Sequence, residues 1–168
     1  AYPGTVLIEG TNLSEGRGTT RALELVGAQD INFANVLKLM RTKAPRWTKG
    51  AIFRECYFEP TFHKFSGKLC EGIFFHTDIP SYRPQDFKPF RAVALMLKCI
   101  RELYPNYPIY REFAYEYVEN KLPFDVINGG PSLRQWIEDP KKSPSDLEKA
   151  LRKDEDSWRR EMKKYQLY

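Results

Sequence analysis

Apolar positions along the chain change period several times, and each change marks a candidate element. Residues 5–8, Thr-Val-Leu-Ile, form a short β-branched and apolar run ending at Glu9-Gly10, so a strand is expected there. It feeds a polar, glycine-punctuated stretch that runs through Thr20. Residues 23–26 read as a second short strand. Asp30 or Asn32 then suits the N-cap of a helix whose apolar residues Phe33, Val36, Leu37 and Met40 recur at helical spacing, and which should stop by Ala44-Pro45. Aromatic and β-branched residues dominate 51–58 and 69–77, which reads as two strands around a loop, 59–68, containing Pro60 and Gly67.

Further along, Asp86 is placed to cap a long helix carrying Phe90, Val93, Ala94, Leu97, Ile100 and Tyr104 at steps of three and four, a stripe expected to pack on the sheet. Pro105 and Pro108 punctuate the chain before an aromatic segment around Phe113, Tyr115 and Tyr117 that fits helix and strand equally. Residues 124–127, Phe-Asp-Val-Ile, read as a strand-like end before Asn128-Gly129-Gly130, and Pro131 suits the first turn of a helix with Leu133, Trp136 and Ile137. Ser143-Pro144-Ser145-Asp146 starts a last helix, with Leu147, Ala150, Leu151, Trp158, Met162 and Tyr165 on one face and alternating charges on the other. This order predicts an α+β fold: a mixed central sheet of about four to five strands flanked by helices, with a helical C-terminus.

At 168 residues with 42% hydrophobic content, residues 1–168 fit a single domain with its own core. The 27 Lys plus Arg against 22 Asp plus Glu give a net charge of +5, but the C-terminal basic residues are interleaved with acids. That is the pattern of a solvated helix face, and it argues against a nucleic-acid partner. No apolar run approaches the roughly 18 residues that suggest a membrane span. The chain opens on Ala1-Tyr2-Pro3-Gly4 with no starting Met, which reads as a fragment or processed product. Cys56, Cys70 and Cys99 are odd in number and lack metal-type spacing, so free thiols are expected. A Cys56–Cys70 bridge stays open if their strands pair.

The densest chemistry lies in Glu9-Gly10-Thr11-Asn12-Leu13-Ser14-Glu15-Gly16-Arg17-Gly18-Thr19-Thr20, where two carboxylates, an amide, a guanidinium and several hydroxyls share twelve residues. Carboxylates and amides bind sugar hydroxyls, and an arginine pairs with a carboxylate in two-pronged geometry, so the mixture suits a polyhydroxylated, acetamido or lactyl-bearing ligand. A plain surface loop in which Asn12 and Ser14 bond their own backbone is the alternative. Glu9 and Glu15 are candidates for a glycosidase acid and base pair, which requires carboxyl groups about 5–9.5 Å apart. A second constellation, residues 58–67, sets His63 and Lys64 among Phe58, Phe62 and Phe65, and aromatic faces are natural platforms for sugar rings. A third, 124–130, places Asn128 at a turn, either before a helix start open to an anion or in an ordinary structural bend. His76 is the only other histidine, no Cys/His cluster occurs, and neither a dinucleotide fingerprint nor a P-loop is present, so no metal and no cofactor are expected.

Taken in order, Tyr2-Pro3-Gly4-Thr5, the twelve-residue stretch from Glu9, Pro60-Thr61-Phe62-His63-Lys64 and Phe124-Asp125-Val126-Ile127-Asn128-Gly129 resemble the C-terminal domain of the NamZ-type exo-β-N-acetylmuramidases. The long motif is the most specific, and the resemblance spans about residues 2–137. It implies exo-hydrolysis of N-acetylmuramic acid from peptidoglycan fragments by a periplasmic or extracellular parent protein. In that parent a Rossmann-like N-terminal domain, absent from this chain, carries the catalytic carboxylate, and this domain lines the sugar cleft. The partners so implied are a muropeptide or amino-sugar ligand and that missing domain. Arg17 then pairs with the lactyl carboxylate or with an acid across the domain interface. Asn12, Ser14 and Thr19 fix hydroxyl or acetamido groups, Glu9 and Glu15 position donors or substrate, and His63 and Lys64 line the second wall with Asn128 nearby. The alternative reading is a non-catalytic carbohydrate or cell-wall binding module, or a domain-interaction module. One departure is Ala22-Leu23-Glu24 after Arg21, where the family usually has Pro-Phe-Glu; a proline there fixes φ and stiffens the loop.

Overall fold

Pro3 is restricted to helical or extended φ and donates no N–H, which suits the first turn of a helix. In the computed structural model, which describes residues 1–113, 115 and 117–167, Tyr2–Thr5 form a helical turn, α1, continued by a 3₁₀ turn over Val6–Gly10. The strand expected at 5–8 is therefore not formed. Gly4 lies so close to the Pro89 carbonyl that any side chain would collide with it, and Leu7 and Ile8 are buried among helices. Tertiary packing overrides the local β-propensity.

Among the described residues the sheet has three strands, β1 (Leu25–Ala28), β2 (Ile52–Phe58) and β3 (Cys70–His76), in the order β1-β3-β2, every pair antiparallel. It is smaller than the four to five strands expected and not mixed. The second lost strand is at 124–127: Pro123 initiates helix α4 (Pro123–Asn128), which Gly129 ends in the left-handed region at φ 80°. Register sets Cys56 opposite Gly72 and Phe58 opposite Cys70, so the two cysteines are not cross-strand partners, and both thiols are free.

Helix α2 (Phe33–Lys43) is capped by Asn32, whose Oδ1 accepts the Asn35 N–H at 2.8 Å. The Glu71 carboxylate of β3 accepts the Phe33 and Ala34 N–H groups at 2.6 and 3.2 Å, fixing the helix start to the sheet. Helix α3 (Pro89–Leu103) begins two residues later than an Asp86 cap implies, with Lys88 at its N-cap and Pro89 in its first turn. Residues 91–100 are buried on every face rather than along a stripe, because α3 packs among α1, α2 and α5 (Ser132–Glu138) while α2 lies against β2 and β3.

Two buried cations on α3 hold the C-terminal helices. Lys98 Nζ donates to the Trp136 and Asp139 carbonyls at 2.8 and 2.9 Å. Arg91 bonds Glu148 and Glu155 of α6 (Pro144–Met162), each at 2.7 Å. A capping box between Ser143 and Asp146 starts α6 as expected, but only Leu147 of its apolar face is buried, and Trp158 and Tyr165 are exposed. The aromatic segment is irregular at Phe113, Tyr115 and Tyr117; Ala114 and Glu116 lie outside the described residues. Among the described residues no helix is long and apolar enough to cross a membrane.

Candidate functional site

Residues 10–14 lie between two neighbouring segments and bond to both. The Gly10 carbonyl accepts the Arg111 N–H at 3.1 Å and the Asn12 N–H donates to the Ile109 carbonyl at 2.8 Å. On the other side Ser14 and Gly27 of β1 exchange both backbone bonds, at 2.8 and 3.0 Å. Leu13 between them is fully buried. The segment is thus fastened to the core before any side chain is considered.

After it the chain turns tightly. Gly16 and Gly18 both occupy the left-handed region, at φ 72° and 80°, and a side chain on Gly18 would run into Thr61. These two glycines flank Arg17 and set its direction. Its Nε donates to Glu15 Oε1 at 3.0 Å and its second guanidinium nitrogen, Nη2, to Glu9 Oε1 at 3.0 Å. From the 59–68 loop, Lys64 Nζ reaches Glu15 Oε2 at 2.7 Å and donates to the Ile8 and Thr11 carbonyls at 2.8 and 3.0 Å. The Lys64–Glu15 contact is a close ion pair inside the domain. Two carboxylates and two cations therefore form one chain, Glu9, Arg17, Glu15, Lys64, with no net charge.

Exposure grades along that chain. Glu15 is 3% exposed, whereas the side chains of Lys64 and Glu9 are each 18% exposed and that of Arg17 is 34% exposed. Burial alone would raise the Glu15 carboxyl; the Lys64 charge and the Lys64 and Arg17 contacts outweigh it and hold the group below its ordinary 4.5. Burial draws the Lys64 ammonium below 10.5, against the opposing pull of Glu15. The hydrogen bond to Glu15 raises the Arg17 guanidinium above its ordinary value. The Lys64 and Arg17 partners thus favour the carboxylate form of Glu15 over the protonated form a proton donor needs. Glu9 accepts the Tyr115 hydroxyl at 3.4 Å, a partner that its distance along the chain concealed.

The remaining candidates separate into two groups. Asn12 donates both amide hydrogens inward, to the Pro108 and Tyr110 carbonyls at 2.6 and 3.1 Å. The Ser14 hydroxyl accepts the Gly16 N–H at 3.1 Å, and Thr19 donates to the Gly16 carbonyl at 2.6 Å, so both shape the turn that presents Arg17. Asn128 closes the end of α4 by donating to the Gly130 carbonyl at 2.8 Å. His63 lies on the exposed 59–68 loop with φ 64°, its ring 5.3 Å from that of Phe62. Depressions of about 550 Å³ beside Lys98 and Arg101 and about 590 Å³ beside Asp125 and Arg134 involve none of Glu9, Glu15, Arg17 or Lys64.

Residues 1–168 match the family described as exo-β-N-acetylmuramidase NamZ, C-terminal. The chain belongs to the NamZ C-terminal family. Its NamZ character is also seen in 37% identity over 137 residues to the peptidoglycan β-N-acetylmuramidase NamZ of Bacillus subtilis (strain 168), covering 82% of this chain and 30% of that protein. A crystal structure of a DUF1343 family protein from Bacteroides fragilis NCTC 9343 superposes with a TM-score of 0.75 at 21% identity, over 99% of this chain and 41% of the other. At that identity the likeness establishes the fold. The NamZ domain thus spans less than a third of its curated relative and about two-fifths of the solved one.

Proposed function

We propose that the parent protein is an exo-acting β-N-acetylmuramidase outside the cytoplasm, releasing N-acetylmuramic acid from peptidoglycan fragments. In this reading the chain is the C-terminal half of a two-domain enzyme and supplies one wall of the sugar cleft. The observation that carries it is Arg17, gripped from behind by Glu9 and Glu15 yet one-third exposed at its outer edge. A guanidinium whose orientation is fixed by two carboxylates is preorganised to meet an acid group or sugar hydroxyls at small entropic cost. Lys64 and Glu15 then act as the rigid support behind it.

The same geometry supports a catalytic acid that lies elsewhere in the parent chain. Glycoside hydrolysis needs one carboxyl that is protonated at the working pH and one that is not. Glu15 is buried against Lys64 and Arg17, which favour its carboxylate form, and this supports a proton donor contributed by the remainder of the parent chain. Hydrolysis of a chromogenic N-acetylmuramic acid glycoside by the full-length parent tests this. The expected result is release by wild type, a large loss in Arg17→Ala, and none from residues 1–168 alone. Full activity in Arg17→Ala overturns the role given to the loop. No release by a folded parent, with the domain still binding muropeptides, replaces the enzyme with a non-catalytic binding module.

A further inference from the structure

The loop joining β2 to β3 turns its side chains unequally. Lys64 points inward to Glu15 and the Ile8 and Thr11 carbonyls, and Phe65 packs half-buried against the core. Phe62 is left outside, 49% exposed. The backbone beneath it is well tied: Thr61 N–H donates to the Arg17 carbonyl at 3.0 Å, Gly67 N–H to the Pro60 carbonyl at 2.8 Å, and the Ser66 hydroxyl to the Thr61 carbonyl at 2.9 Å. His63 and Phe65 are held at φ 64° and 59°, a region non-glycine residues seldom occupy. An exposed phenylalanine is therefore presented on a fixed stem.

Its neighbour is the Arg17 turn. A Cβ built on Gly18 would lie 3.0 Å from Phe62 Cδ1, so the ring borders the residue following Arg17 and meets no side chain there. An apolar aromatic ring thus borders the turn that carries Arg17, whose guanidinium is itself partly exposed. The ligand matching that pair is amphipathic: a ring with an apolar C–H face and a rim of hydroxyl or acid groups, which describes a pyranose better than a peptide or a phosphate. We propose that Phe62 is a stacking platform for the sugar ring whose polar rim Arg17 engages, a specificity-determining residue of the cleft wall. This rests on the functional reading above.

The test uses the full-length parent with the chromogenic N-acetylmuramic acid glycoside and compares Phe62→Ala, Phe62→Leu and Phe62→Tyr with wild type. Losing one aromatic contact raises KM roughly five- to tenfold in the Ala and Leu variants with kcat nearly unchanged, and Tyr retains the wild-type value. Leu keeps apolar bulk without the flat face, so a merely structural role does not separate it from Tyr. The ring is exposed, and thermal midpoints of all three variants stay close to wild type. If wild type turns over and Arg17→Ala is impaired while Phe62→Leu has an unchanged KM, the platform is overturned and the cleft-wall reading survives. A wild-type parent that neither binds nor cleaves the glycoside overturns both.

Discussion

Replacing Lys64 with methionine probes the interior of the cluster. The change keeps most of the side-chain volume but removes the ammonium, leaving Glu15 with Arg17 alone and releasing the Ile8 and Thr11 carbonyls. Breaking a buried ion pair from one side costs about 3–5 kcal/mol, and the partial exposure of Lys64 places this case near about 3 kcal/mol. For a domain of this size that lowers the thermal midpoint by about 6–12 °C. Urea and thermal unfolding followed by circular dichroism measure it, alongside Glu15→Gln and the double variant. Because the two residues face each other, the double variant should cost at least about 1 kcal/mol less than the sum of the singles.

The pH dependence has a definite sign. In the wild type the Glu15 pKa is depressed, so its contribution is present above the unfolded value near 4.5 and is lost as pH falls through the folded value. In Lys64→Met the main opposing charge is gone and burial raises that pKa, so the variant is penalised at neutral pH and relieved on acidification. The stability gap between the two proteins therefore narrows between pH 7 and pH 4. An additive double variant, or a gap that stays constant across that range, would refute the account of Lys64 and Glu15 as a coupled interior pair.

Arg91→Met should cost about 1–2 kcal/mol, since both carboxylates it releases can regain water, and it should speed amide exchange in α6 more than in α2; equal protection of α6 in both proteins would contradict the role of Arg91. Burial pushes the Cys56 and Cys70 thiols up to about 11 and Cys99 up to about 12. At pH 8 iodoacetamide should label the native protein slowly and the guanidinium-unfolded protein fast, with fast native labelling of Cys99 as the contrary result.

Elements were legible where local spacing and tertiary packing agree. The Asn32 cap, the two strands at 52–58 and 70–76 and the Ser143 start of α6 all carry their signals within a few residues. Residues 5–8 and 124–127 misled because a run of four apolar or β-branched residues is too short to distinguish strand from buried helix. The deciding residues were Pro3 and Gly4 in one case, Pro123 and Gly129 in the other. At the site, Glu9, Glu15 and Arg17 share one loop, and their proximity was readable. The Lys64 bonds span 53 and 56 positions and the Tyr115 contact spans 106, distances over which only the folded backbone brings groups together.

The backbone exchange between Ser14 and Gly27 has a role apart from any ligand. β1 lies at the border of the sheet, and an unprotected border strand offers its free N–H and C=O groups to other molecules. Gly27 directs both groups at Ser14, and the Leu25 N–H is taken by the Arg21 carbonyl, so the 10–14 segment also seals this border. The loop that would receive a carbohydrate is thus a guard against self-association. A substitution that loosens it should be selected against in a chain that never meets its substrate, because the exposed border is a template for aggregation.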